Sequence, residues 1–201
     1  MRSYKKNVKA MDGEGQDNDE IRIFVAYNVH HQCGAAIHYR SMSQQTEHDR
    51  QMMQMAIDLS IDNVRNGGGP FGAVIEKEGM VVATGVNRVT AINDPTAHAE
   101  VMAIREACRS QGTFRLTGCT CYASCEPCPM CLAALYWAGV EKIVFANTKE
   151  DAEAIGFSDR FIYQQIQTPV NHRSLRMTCM MREEAQKAFR AWEDKTDKTE
   201  Y

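Results

Sequence analysis

Two short motifs constrain this chain more than any other feature. The first is His98-Ala99-Glu100, and the second is Pro127-Cys128-Pro129-Met130-Cys131, which begins 29 positions after His98. Imidazole nitrogen and thiolate sulfur are ligands that zinc prefers, and a catalytic zinc site uses three protein ligands and leaves a fourth position open. His98, Cys128 and Cys131 supply three. The fold must therefore bring two distant segments together around one point.

The cluster at residues 123–131, ASCEPCPMC, admits other interpretations. A disulfide framework suits an exported chain, but no apolar signal segment follows the basic N-terminal residues. An iron–sulfur loop would use Cys125, Cys128 and Cys131, but the fourth ligand position of that pattern is Leu135. Both interpretations explain less of the sequence than a zinc site does.

A closed zinc site with four thiolates is a further alternative. It could use Cys119 and Cys121 as a second pair of ligands. That arrangement leaves the His98-Ala99-Glu100 motif without a role. In an open catalytic site, His98 is a ligand, and Glu100 takes a proton from the activated water and passes it to a leaving amine. We therefore favour the open catalytic site.

The predicted secondary structure brings these groups together. Cys128 and Cys131 are three residues apart at the start of a predicted helix, so both thiols can face one point. The helix N-terminus also favours thiolates. His98 and Glu100 would point roughly 200° apart within a regular helix, so they converge only at a helix end. Pro95 predicts that the second helix starts there.

The other elements alternate between helix and strand. This order predicts an α/β fold with a mixed sheet and helices on its faces in three layers. The predicted elements are a helix from Thr46 to Gly67, a hairpin of Phe71–Ile75 and Met80–Val86, a helix ending at Gly112, strands at Cys119–Ala123 and Glu141–Asn147, a helix at Pro129–Ala138, a short helix at 149–156, a strand at Arg176–Met181 and an amphipathic helix from Arg182.

Residues 1–45 differ in composition from the rest. The segment at 11–20, MDGEGQDNDE, is polar and acidic, and we expect this extension to be disordered. His30, His31 and Cys33 suggest either a metal site or a solvated extension, and the sequence leaves that choice open. We expect an N-terminal extension at 1–45 and a zinc-dependent domain at 46–201.

Charge and hydropathy narrow the classes of partner. The formal net charge is −3, whereas proteins that grip a phosphate backbone carry clustered Lys and Arg. We therefore do not expect nucleic acid as a partner. No apolar run approaches the roughly 20 residues of a spanning helix, so we expect no membrane association and a cytoplasmic location.

Several segments together resemble one family. They are GGPFGAVI at 68–75, NDPTAHAEVMAIREAC at 93–108, YASCEPCPMCLAALYWA at 122–138 and DAEAIGFSDRFIY at 151–163. This pattern resembles the bacterial guanine deaminases of the cytidine-deaminase-like superfamily, from about residue 47 to the C-terminus. Related tRNA adenosine deaminases typically have an apolar residue in place of Cys125 and a different residue in place of Pro129.

The resemblance implies a fold, a reaction and an assembly. The fold is a three-layer α/β/α arrangement around a five-stranded mixed sheet. The reaction is hydrolysis of guanine to xanthine and ammonia by a water activated by one zinc ion per subunit, with Glu100 as the catalytic residue. The assembly is a homodimer in which the C-terminal segment is swapped and closes the partner's active site.

The resemblance also implies residues that contact a small purine substrate. Asn87 matches the family's base-binding Asn, and Asp159 matches an acidic residue near the substrate. Ser158 stands where similar proteins have a further acid. Candidate walls of the pocket are Phe71, Trp137 and the final Tyr201.

Other functions stay open at this point. Guanosine deaminases share the CEPCPMC signature, and a tail that covers the pocket would favour the free base because it leaves little room for a ribose. A tRNA adenosine deaminase is disfavoured by the acidic charge balance. A non-catalytic zinc-stabilised module would need the ligands but not Glu100. Under the leading interpretation, Cys121 and Cys125 are buried packing residues.

Overall fold

The computed structural model describes residues 32–200, with side chains from residue 47 onward. The acidic segment at 11–20, the possible metal site at His30, His31 and Cys33, and the C-terminal Tyr201 therefore lie outside what it describes. The compact unit that holds the sheet runs from Ser41 to Tyr201. The boundary near residue 45 stays a prediction.

The described chain follows the predicted order of a helix, a hairpin and then alternating helix and strand, with further helices at Val89–Ile92 and Arg160–Gln167 where none was predicted. Among the described residues, no helix has both the length and the apolar character needed to cross a bilayer. The elements are α1 (Gln32–Arg65), β1 (Gly72–Lys77), β2 (Met80–Val86), α2 (Val89–Ile92), α3 (Ala99–Gln111), β3 (Cys119–Cys125), α4 (Pro129–Ala138), β4 (Lys142–Asn147), α5 (Lys149–Ala154), α6 (Arg160–Gln167) and α7 (Arg182–Asp194), with a 3₁₀ turn at Val170–His172.

The sheet is mixed, as expected, and its strand order is β2-β1-β3-β4. β1 runs antiparallel to both β2 and β3, whereas β3 and β4 are parallel. The β1–β2 hairpin turns at Glu78 and Gly79, whose φ values are 52° and 83°. Two consecutive positive φ values are typical of the type I′ turn, whose twist matches that of the strands.

Helices cover both faces of the sheet, which confirms the three-layer prediction. Ala73 and Ile75 of β1 pack with α3 and α4 on one face. Val74, between them, packs with Ala56 of α1 and with Tyr122 on the other face. This alternation follows from the two-residue period of a strand.

The expectation of a fifth strand is wrong for this chain. Arg176–Met181 has no sheet partner and no strand conformation. Met181 has φ 57° and ψ 40°, a left-handed conformation that ends any extended run and precedes α7. Met177 and Met180 are 54% and 77% exposed, so little apolar burial offsets the entropy cost of ordering a strand here.

Two helix boundaries also differ from the prediction. α1 begins at Gln32 instead of Thr46. α3 begins at Ala99 instead of near Pro95, because the Asp94 carboxylate accepts hydrogen bonds from the backbone N–H (2.8 Å) and the hydroxyl (2.6 Å) of Thr96. This side-chain turn competes with helix formation and holds the segment before Ala99 in a turn.

Two glycines let helices approach the sheet closely from opposite sides. A Cβ atom at Gly85 of β2 would lie 2.1 Å from the carbonyl oxygen of Ala99 and 2.5 Å from the backbone nitrogen of Ala103. A Cβ atom at Gly72 of β1 would lie 2.4 Å from the carbonyl oxygen of Ala56. Such distances are far inside van der Waals contact, so both positions require glycine. Gly85 thereby fixes where α3 begins above the sheet.

We expect Gly85→Ala to lower the free energy of unfolding by about 1–3 kcal/mol or more, because the added methyl group forces α3 away from β2. Urea unfolding followed by circular dichroism measures this loss. Thr84→Ala, at the exposed neighbouring position of the same strand, is the matched control and should cost much less. Equal stability of Gly85→Ala and the wild-type chain would contradict the close approach.

Candidate metal centre and active site

His98 stands at the N-cap of α3, with extended backbone angles of φ −73° and ψ 157°. Its carbonyl oxygen accepts the first helical hydrogen bond, from Met102 N–H at 2.9 Å. The His98 side chain therefore leaves the chain before the regular helix begins, and Glu100 follows in the first turn. This is the helix-end arrangement that the spacing of His98 and Glu100 requires.

Cys128 occupies the corresponding position in the second motif. β3 ends at Cys125, and Glu126 N–H donates to the carbonyl oxygen of Asn147 at 2.8 Å, which extends the pairing with β4. Cys128 is the N-cap of α4, with Pro129 in the first turn. Proline fits there because its missing N–H would have no helical partner. Cys131 follows one turn later and is fully buried.

The two helix starts bring the three predicted ligands together. The Nδ1 atom of His98 lies 3.6 Å from the Sγ atom of Cys128 and 3.5 Å from that of Cys131. All three ligand atoms lie within 4.8 Å of one another. Zinc–sulfur bonds of about 2.3 Å and zinc–nitrogen bonds of about 2.1 Å place tetrahedral ligand atoms roughly 3.6 Å apart. The residues therefore fit a zinc ion in both chemistry and spacing.

The protonation of the two thiols also favours metal binding. A hydrogen bond from the Cys131 thiol, with further donation from His98 and the backbone N–H of Cys131, lowers the pKa of Cys128 to about 4. The same bond to Cys128, together with burial, raises the pKa of Cys131. Zinc binds thiolates, so its binding at this pair releases the protons that the thiols still hold.

Cys125 behaves differently from these two cysteines. Its thiol donates a hydrogen bond of 3.5 Å to the carbonyl oxygen of Thr148, and burial raises its pKa to about 11. Cys121 is fully buried in the core. Both are free thiols outside the three-residue ligand group, which agrees with the packing role predicted for them.

Glu100 lies two residues after His98, in the first turn of α3. It is 7% exposed, and burial raises the pKa of its carboxyl above the ordinary value. The neighbouring Cys131 thiol partly opposes that rise in the pKa of Glu100. A carboxyl with a raised pKa can both accept and return a proton near neutral pH.

A cavity of about 540 Å³ opens beside the ligand group. Its lining combines polar and charged side chains with aromatic, aliphatic and glycine residues. Cys131 lies behind this surface. The predicted site residues that line the cavity are Phe71, Asn87, His98, Glu100, Cys128 and Asp159.

No sequence motif indicated Asn63, which supports one wall of this cavity. Its side-chain amide donates to the carbonyl oxygens of Gly69 at 2.7 Å and Asn87 at 2.8 Å. Asn87 is 8% exposed, and its Oδ1 atom accepts the N–H of Val89 at 3.3 Å. Asn63 thereby joins the end of α1 to the glycine loop and to Asn87.

The opposite wall comes from the segment after α5. The rings of Phe71 and Phe157 meet edge to face, with centroids 5.1 Å apart. Burial raises the pKa of the Asp159 carboxyl, and Lys149 opposes that rise. Ser158, at the position of the missing acid, lines the cavity and donates a hydrogen bond of 3.2 Å to Glu153.

The structure does not place Trp137 at the cavity of its own chain. Cys131, Leu135 and Ala138 form the buried face of α4, and Trp137 points away from that face and is 67% exposed. Trp137 is not among the residues that line the cavity of the single chain, and its role as a pocket wall stays a prediction. Tyr201 lies outside the described residues.

Comparison with known proteins gives the family. Residues 46–147, half of the chain, match the cytidine and deoxycytidylate deaminase zinc-binding region. The guanine deaminase of Bacillus subtilis strain 168 is 46% identical over 150 residues, which cover 74% of this chain and 96% of that enzyme. This chain belongs to the zinc-binding deaminase family.

Solved structures and a tRNA-specific deaminase add to this comparison. The crystal structure of the Bacillus subtilis guanine deaminase superposes with a TM-score of 0.74, at 45% identity, over 76% of this chain and 98% of that one. The structure of the protein NE0047 in complex with 2,6-diaminopurine superposes with a TM-score of 0.52, at 36% identity, over 54% of this chain and 61% of that one. A tRNA-specific adenosine deaminase of Aquifex aeolicus is 48% identical over 77 residues, which cover 38% of this chain and 51% of that protein.

We expect Cys128→Ala and Cys131→Ala to lose zinc, because each leaves only two ligands. The loss of affinity should exceed the roughly 10- to 100-fold that removal of an outer-shell partner costs in metal sites. Metal analysis by plasma mass spectrometry after dialysis measures it. Cys125→Ala is the matched control and should keep about one zinc ion per chain. Zinc loss in that control would contradict the ligand assignment.

Proposed function

We propose that this deaminase hydrolyses guanine to xanthine and ammonia, with one zinc ion per subunit held by His98, Cys128 and Cys131. The observation that carries the proposal is a buried carboxyl, Glu100, beside a three-ligand group at the wall of a purine-sized cavity. The high identity to a guanine deaminase over nearly its whole length supports guanine as the substrate.

Bound at these ligands, zinc would supply a Lewis acid that lowers the pKa of a water molecule to about 7. The rest of the chemistry falls to the chain's own side chains. A carbon–oxygen bond forms at the ring carbon that bears the exocyclic amine, and the bond from that carbon to the amine breaks. Glu100 takes one proton of the water and passes it to the ring nitrogen beside that carbon. It then takes the second proton, from the newly attached hydroxyl group, and passes it to the amine, which leaves as ammonia.

The cavity walls supply groups that suit a purine. The Asn87 amide has its Oδ1 atom engaged by Val89 N–H, which leaves its NH₂ group to donate to an acceptor on the base. Asp159 offers a carboxylate to the N–H groups of guanine. Phe71 and Phe157 provide apolar surface for the faces of the ring.

Charge at the cavity favours a neutral base over a nucleic acid. Its ionisable lining residues besides His98 and Cys128 are Glu100, Glu126, Asp159 and a single cation, Lys149. A groove that tracks a phosphate backbone needs clustered cations instead. A non-catalytic zinc module would leave the burial of Glu100 unexplained, because burying a carboxyl carries a cost.

The C-terminal segment has the properties expected of a swapped segment. Large apolar side chains on α6, α7 and the loop between them are uncovered in the single chain: Phe161, Ile162, Ile166, Leu175, Met180 and Phe189 are each between 47% and 77% exposed. Exposed apolar surface is typical of interaction sites when it forms a patch. We include in the proposal a homodimer in which this surface is buried against the second copy.

The path of the tail favours closure of the partner's site. The carbonyl oxygen of Glu200 accepts a hydrogen bond of 3.4 Å from Arg115, which lies before the start of β3. Cys128 follows the other end of β3, and the strand alone is roughly 20 Å long. The backbone of Glu200 therefore lies near the end of β3 that is opposite to Cys128.

We expect Glu100→Gln to keep its zinc and to lose guanine turnover by about 100-fold or more, because the amide cannot shuttle protons. Ammonia release and metal content are measured on the same preparations, with guanine, guanosine, adenosine, cytosine and deacylated tRNA as substrates. Full activity of Glu100→Gln would contradict the mechanism. Faster turnover of guanosine than of guanine by the wild-type chain would favour the nucleoside.

We expect deletion of residues 198–201 to lower guanine turnover by about tenfold or more, because the site then stays open to water. Zinc content should not change, and Thr199→Ala, which keeps the tail, should remain active. Mixing the truncated chain with full-length Glu100→Gln should restore activity, because the inactive chain supplies a tail to the intact site. If the mixture stays inactive while light scattering shows mixed dimers, the tail does not act across the dimer.

A further inference from the structure

A second cavity adjoins the proposed active site. Its volume is about 290 Å³, and it lies between α5 and α6. Lys149 and Asp159 line both this cavity and the larger one. The two spaces therefore have a common wall, and these two side chains form part of it.

Lys149 is held between the two cavities by contacts on both sides. Its ammonium nitrogen lies 3.7 Å from the Oε1 atom of Glu126, which lines the active-site cavity. The same nitrogen lies 5.6 Å from the ring centroid of Tyr163, which lines the second cavity. A cation over an aromatic face at this distance is attracted to it. The side chain therefore spans the wall instead of extending freely into solvent.

The backbone of Lys149 is fixed as well. Its N–H donates to the Oε2 atom of Glu126 at 3.3 Å. Lys149 is the first residue of α5, and the start of that helix is set by a capping box between Thr148 and Asp151. A capping box satisfies two backbone N–H groups at once and fixes the entry of the chain into the helix. These local contacts therefore fix the backbone of Lys149, which forms part of the wall between the two cavities.

The lining of the second cavity suits hydroxyl groups better than a phosphate. Its charged residues are three acids and two bases: Glu150, Glu153, Asp159, Lys149 and Arg160. Arg160 is already paired with Glu153 at 2.6 Å.

The remaining lining residues are Tyr163, Gln164 and Gln167. Amides and carboxylates can both accept hydrogen bonds from sugar hydroxyls, and the Tyr163 ring offers a flat surface to a sugar face. Together with the charged residues, these groups suit the hydroxyls of a pentose and do not suit a phosphate.

We propose that Lys149 is a specificity-determining residue that keeps the site selective for the free base. Its side chain separates the base cavity from a space that would otherwise take the ribose of a purine nucleoside. This inference rests on the proposed function, because it assumes a purine in the larger cavity. Removal of the side chain joins the two cavities and admits the nucleoside.

The test compares kcat/KM for guanosine and for guanine on zinc-loaded full-length chains. In Lys149→Ala, the guanosine-to-guanine ratio should rise by about tenfold or more, the size of effect that a change in pocket shape produces. Lys149→Arg keeps a long cation at the wall, so its ratio should stay near that of the wild type. Adding Tyr163→Ala to Lys149→Ala should lower guanosine turnover more than guanine turnover.

Lys142→Ala is the matched control. Lys142 is 49% exposed, close to the 45% of Lys149, and it also pairs with an acid, Asp49, at 2.9 Å. It lines neither of the two cavities, so its ratio should not change. Thermal unfolding and zinc content confirm that each variant is folded and loaded. Binding of guanosine as an inhibitor of guanine turnover, which should tighten in Lys149→Ala, is a second readout.

Two outcomes would overturn the inference. The ratio in Lys149→Ala could equal that of the wild type or of Lys142→Ala, with no tighter guanosine binding. Alternatively, Lys149→Arg could raise the ratio as much as Lys149→Ala, which would mean that bulk at this wall does not exclude the nucleoside. Failure of the proposed function gives a different result, namely a zinc-loaded wild-type chain that does not release ammonia from guanine.

Discussion

The site depends on two helix N-termini that meet above one sheet. His98 and Cys128 are the N-cap residues of α3 and α4, and their side chains leave the backbone before the helical repeat constrains them. The sheet sets where those helices begin, because α3 packs on β2 with no space for a methyl group at Gly85. The metal ligands thus take their geometry from backbone packing.

This arrangement also separates metal binding from proton transfer. Cys131 is fully buried, whereas Cys128 lines the cavity, so the ligand group presents only part of itself to a substrate. Glu100 reaches the same cavity from the first turn of α3 and does not belong to the ligand group. Its burial raises the pKa of its carboxyl.

The sequence predicted the ligand group and Glu100 because local rules decide them. Neighbouring residues are enough to predict the ligand spacing, the first-turn position of Pro129 and the helix end at His98. Asn63, Phe157 and Lys149 were not predicted as site residues, since their roles arise from contacts between segments far apart in the chain. Trp137 lies away from the cavity of its own chain because Cys131, Leu135 and Ala138 form the buried face of α4. The prediction of a fifth strand was wrong because Met181 has a left-handed backbone conformation, which no residue pattern indicated.

The two functions of the cavity belong to different parts of the fold. The metal ligands and Glu100 lie on elements anchored in the core, while much of the substrate wall lies on the surface segment from Lys149 to Tyr163. Substitutions in that segment, such as the Ser158 of this chain, alter the shape and charge presented to the base without touching a ligand. A fold divided in this way can acquire a new substrate one surface residue at a time while its catalytic chemistry persists.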